Sequence, residues 1–201
     1  MITLHRIDRL FSEHQHPRLY RELVAARPEA FVGLDDAMTH VAPIAALGLI
    51  RLDELNQSHT STYRRLLNVV LTSQRPDGSW GDCVATALVV RALLGGGGHG
   101  SAVERGLNYL ARLQQENGLW PVGALGNALV SAFVLMQLGD VREFRQAVRF
   151  GAALAWFTTH RKSLNPATQK LWNHAAVRCC AAASRDRAAG LFVHHVGRPA
   201  A

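Results

Sequence analysis

Apolar side chains recur along this chain at steps of three and four residues, and two of the periodic stretches coincide when one is slid by 40 positions. Segment 61–74 (STYRRLLNVVLTSQ) aligns with 101–114 (SAVERGLNYLARLQ), so that Tyr63 falls on Val103, Leu67 on Leu107, Asn68 on Asn108 and Val70 on Leu110. The spacing predicts two amphipathic helices. Ser61 and Ser101 stand at their starts, and serine is a favoured N-cap residue. Each is followed by a stretch that is apolar nearly all round, 83–94 and 127–138. Such helices are expected to be covered on most sides. A third apolar helix is expected over about 37–50, where Pro43 should kink it or shift its start. Further helices are expected over 140–160 and 166–183, the last with Pro166 in its first turn. Gly95–Gly98 reads as a flexible turn between two helices.

The connections repeat as well. Gln74, Gly78 and Trp80 in SQRPDGSWGD lie 40 residues before Gln114, Gly118 and Trp120 in LQQENGLWPV. Asp82 with Thr86 matches Asn127 with Ser131, again at a spacing of four, and Asp35 with Thr39 gives a third such pair upstream. A repeat of this length signals stacked supersecondary units. The fold class expected is therefore all-α: one domain over 1–201, with N-terminal helices in 3–30, repeats over 33–184 and a tail at 190–201.

Composition narrows the picture modestly. The chain is 48% apolar and 18% charged, which suits a folded core. Its net charge of +7 comes from scattered arginines without a dense basic run, so no nucleic-acid partner is expected. Three cysteines, two of them adjacent (Cys179 and Cys180), make no disulfide framework. Together with an N-terminus that has no apolar signal region, this leads to a cytoplasmic expectation. The uncharged stretch from Gly118 to Gly139 has too short a helical part to span a bilayer, so at most peripheral membrane contact is expected.

The Gln-x3-Gly-x-Trp spacing, placed between an outer and an inner helix, resembles the QW repeat of the squalene–hopene and terpene cyclase family, whose wider relatives include protein prenyltransferase β-subunits. The stretch DGSWGDCVATALVVRALL is similar to that family's repeat. The resemblance covers about 60–138 closely and 33–184 more loosely. It implies a partial or small α/α toroid in which inner helices line a cavity. Three to four hairpins are too few for a full ring, so exposed apolar surface is expected, covered by a homodimer contact or by a partner protein.

The family's proton donor lies in an Asp-x-Asp-Asp motif at the start of an inner helix. Here Gly33-Leu34-Asp35-Asp36 aligns, with Gly33 in place of the first acid. The resemblance implies Asp35 and Asp36 as catalytic acids or anchors for a cation. The bare residues equally suit a helix cap. Thr39, His40, Thr86, Asn127, Ser131, Trp172 and His174 are the candidate cavity residues. The function implied is cyclisation or a related reaction of an apolar, isoprenoid-type substrate, with a non-catalytic binding or scaffold protein as the alternative. No metal or cofactor is expected.

Overall fold

Ten α-helices account for most of the described residues of the computed structural model, which are 2–25, 31, 40–97, 99–121 and 127–188; no strand occurs among them. The N-terminal helices α1 (Leu4–Ser12) and α2 (His16–Val24) form a hairpin. Each turns one face inward, Ile7, Leu10 and Phe11 from the first and Leu19, Tyr20 and Leu23 from the second. The Arg6–Glu22 ion pair ties the two together.

Helices α3 (Val41–Glu54), α5 (Cys83–Gly96), α7 (Asn127–Leu138) and α10 (Pro166–Ala188) pack one on the next, in chain order. On α5 every residue from Cys83 to Val90 is buried, and on α7 every residue from Leu129 to Met136. This is what a helix without a polar face requires. Helices α4 (Ser61–Thr72) and α6 (Gly100–Leu113) lie outside that row, on α3 and α5 respectively. They bury one stripe each, Thr62, Tyr63, Leu66 and Val70 against Ala102, Val103, Gly106, Leu107 and Leu110. Four positions match in the repeat, and Leu107 is buried where its counterpart Leu67 is half-buried. Where α4 carries Leu66, α6 carries Gly106, because a Cβ there would stand 2.7 Å from Val90 Cγ2 and 3.0 Å from the Trp80 ring.

Several boundaries differ from the sequence expectation. The N-cap of α4 is Thr60, whose hydroxyl accepts the Tyr63 N–H at 3.3 Å, so Ser61 is already helical. The cap position of α6 is His99 instead of Ser101. Helix α3 starts at Val41, not near residue 37: proline lacks an N–H and is tolerated only in a first turn, so Pro43 shifts the start rather than kinking the helix. The single helix expected over 140–160 is two, α8 (Arg142–Ala147) and α9 (Phe150–His160). The chain is extended at Val148, and the next residue's N–H leaves the helix to bond Gln114 at 2.6 Å. Asn165 caps α10 through the Thr168 N–H at 2.8 Å, and the helix runs on to Ala188. The tail expected at 190–201 lies outside the described residues.

The apolar surface expected of an incomplete ring is small. Among the described residues only Val41 and Val177 are large exposed hydrophobics. Helices α2 and α10 close on α3 and α7, and Phe31 packs its ring on Phe133 at 5.8 Å.

Candidate functional site

The two Gln–Gly–Trp stations share the same turn bonds and the same indole bond. In the first, the Gln74 amide donates to the Gly78 carbonyl at 3.0 Å, and Arg75 and Ser79 close a tight turn through an N–H to O bond of 2.9 Å. The Trp80 indole N–H reaches back to the Val70 carbonyl at 2.7 Å, in the last turn of α4. In the second, Gln114 donates to Gly118 at 2.8 Å, Gln115 N–H bonds Leu119 at 2.9 Å, and the Trp120 indole bonds Leu110 at 2.8 Å. The glycines hold φ of +90° and +84°, where side-chain-bearing residues are strained.

The glutamines then join each turn to the next outer helix by different atoms. Gln114 accepts the N–H of Arg149, an unpaired donor at the start of α9, as its side-chain chemistry suggests. Gln74 donates to the Ala102 carbonyl at 2.9 Å and accepts from the Arg105 guanidinium. The turn residue before each glycine also differs. Asp77 accepts the Ser79 N–H where Asn117 accepts that of Leu119, both at 3.0 Å. The Ser79 N–H holds the Asp77 carboxyl below its usual range. A depressed carboxyl stabilises the fold above its unfolded pKa, and that contribution is lost as pH falls through the folded value. Asp77→Asn is therefore expected to flatten the loss of stability below about pH 4, read from urea midpoints at pH 7 and pH 3. Equal acid sensitivity in the variant would show that the first turn is not the sensor.

The expected cavity residues do not converge. Thr86 and Ser131 are fully buried, and their hydroxyls accept the backbone N–H of Trp80 and Trp120 at 3.1 and 2.8 Å. They lock the turn onto the next inner helix. Thr86→Val and Ser131→Ala each leave a buried N–H unpaired and are expected to destabilise by about 1–3 kcal/mol. Chemical denaturation checks this, and unchanged midpoints would argue against the lock. Asn127 opens α7, and its carbonyl accepts from the Ser131 hydroxyl at 2.6 Å. Trp172 is buried in a stack on Phe157, with centroids 4.4 Å apart. His174 is exposed, two residues further along the same helix. His40 is exposed at the start of α3, with its ring beside Gly81. Asp35, Asp36 and Thr39 lie outside the described residues.

Burial holds the Cys83 and Cys179 thiols in the neutral form by pushing their pKa up to about 12. Among the described residues no group of three or more His, Cys, Asp or Glu could hold a metal ion. No helix there is long and apolar enough to cross a membrane.

A recess lies elsewhere, between the end of α5, the start of α6 and helix α8. It is a groove of about 520 Å³. Leu93, Leu94, Val103, Leu107 and Ala147 supply its apolar lining. Its polar lining is His99, Glu104, Asn108, Glu143 and Gln146. At the glycine turn its mouth is open, since a Cβ on Gly97 or Gly100 would meet nothing within 4 Å. Sequence reasoning missed this site. The glycine run was expected as a turn, although Gly95 and Gly96 complete α5, and α8 starts 42 residues after Gly100, so it enters only through the fold.

The described residues define an all-α protein of packed helices, with two closely similar tryptophan stations joining them. Searches against family models, curated proteins and solved structures gave no match for this chain.

Proposed function

We propose that this chain is a non-catalytic helical-repeat module that binds a lipid-like molecule. The groove between α5, α6 and α8 carries the reading. Its volume of about 520 Å³ is that of a small-molecule site, and most of its lining surface is apolar. The polar atoms of the two stations are committed to holding turns and helices together, which suits a scaffold. The test is calorimetric titration of the full chain with dodecanol and with farnesol. Saturable one-to-one binding is expected. Absence of binding of either below its solubility limit would overturn the reading.

A second reading has its own support. The Gln-x3-Gly-x-Trp spacing resembles the cyclase-type repeat, and that resemblance implies Asp35 and Asp36 as acids acting on an isoprenoid. Incubation with squalene and with geranylgeranyl diphosphate, followed by gas chromatography, separates the two. A new hydrocarbon or alcohol that disappears in Asp35→Asn or Asp36→Asn would establish the enzyme. The binding reading expects none.

A further inference from the structure

The rim of the α5–α6–α8 groove carries two carboxylates, Glu104 on α6 and Glu143 on α8. Both are exposed. Neither forms an ion pair among the described residues, although the chain has 22 lysines and arginines against 15 acids. Asp8, Glu22, Glu54 and Asp140 are paired with arginines, whereas Glu13, Asp53, Asp77, Asp82 and Glu116, like the two rim acids, form no ion pair among the described residues; what sets Glu104 and Glu143 apart is their place on an apolar recess. The rest of the polar rim consists of Asn108, Gln146 and the half-exposed His99, and no lysine or arginine lines the recess. A strongly basic protein thus has an apolar recess flanked by negative charge from two separate helices.

We infer that the groove takes an amphiphilic amine, with its alkyl chain among Leu93, Leu94, Val103 and Leu107 and its ammonium group at Glu104 and Glu143. This rests on the lipid-binding reading above and adds the head group. An ammonium donates up to three hydrogen bonds and has two carboxylates and two side-chain amides within the same lining to receive them. A carboxylate or phosphate head would meet like charge there, which costs affinity.

The experiment titrates the full chain at pH 7 with dodecylamine, dodecanol and dodecanoate, each below its micelle-forming concentration. Dodecylamine is expected to bind about fivefold to tenfold more tightly than dodecanol, the range two exposed charge pairs supply. Dodecanoate should bind more weakly than both, and added salt should erode the amine preference alone. The double variant Glu104→Gln with Glu143→Gln should bring the amine down to the alcohol and leave dodecanol binding unchanged. Ala147→Trp, at an exposed position in the lining, should fill the groove and abolish binding of all three, with helicity unchanged by circular dichroism. If dodecanoate binds as tightly as dodecylamine, or if the glutamine variant keeps the amine preference, the head-group inference is overturned while lipid binding stands. If none of the probes binds, or Ala147→Trp leaves binding intact, the groove itself is not the site.

Discussion

Trp120→Ala lowers the free energy of unfolding by about 3–5 kcal/mol, the range for removing a large aromatic side chain from a packed interior. Three features put it there. The side chain is fully buried. Its ring lies nearly parallel to that of Phe144, with centroids 6.0 Å apart, so α8 loses a partner as well. Its indole N–H satisfies the Leu110 carbonyl at the end of α6, which has no helical partner of its own at that point. Trp120→Phe divides the effect, because the ring and much of the burial remain while the hydrogen bond is lost. That variant is expected to cost about 1–2 kcal/mol. Urea denaturation followed by far-ultraviolet circular dichroism measures both, with an unchanged m-value marking a true change in stability. A loss below about 1 kcal/mol for the alanine variant would mean that the station is an ornament of the loop and not a staple between helices.

Gly118→Ala is expected to cost about 2–4 kcal/mol, a large effect for one methyl group. Part is backbone strain, since φ is +84° and an alanine there is held in a sparsely populated conformation. The larger part is steric. A Cβ on Gly118 would stand 2.2 Å from Ala153 N and 2.6 Å from Ala153 Cα, and backbone cannot rotate aside as a side chain can. The turn must lift from α9. That movement pulls Gln114 from the Arg149 N–H, now bonded at 2.6 Å. Amide exchange therefore provides a local check: Arg149 should lose protection in the variant, while Ala85, whose N–H is capped by Asp82 at 2.8 Å, should keep it. Uniform loss of protection would point to global destabilisation, and no loss would show that α9 is positioned by other contacts. Gly78→Ala is the matching experiment at the first station, with Arg105 O 2.4 Å from the added carbon.

The repeated pattern was readable because it obeys local rules. Apolar stripes at helical spacing placed α4 and α6, and apolar stretches placed α5 and α7 to within two residues at their ends. The matching positions of Thr86 and Ser131, four residues after Asp82 and Asn127 respectively, were also legible. Their role was not, because a buried hydroxyl that faces a cavity and one that faces a neighbouring N–H look alike in a sequence. The same ambiguity covers Trp172 and His174, two positions apart on α10: one is stacked in the core and the other is exposed. The break between α8 and α9 left no clear local mark either. It depends on a glutamine that precedes it by 35 residues.

By itself the sequence determined the helical class, the repeat and the places of its two stations, because helix periodicity, glycine at positive φ and a buried tryptophan act over a few residues. Tertiary structure alone decided which helices stack, how far the ends are covered, and that α8 closes a groove against α5 and α6. Those outcomes depend on packing between segments far apart in the chain. The stations that first marked the sequence thus hold the scaffold together, and the recess with free carboxylates arises from helices that no local pattern connects.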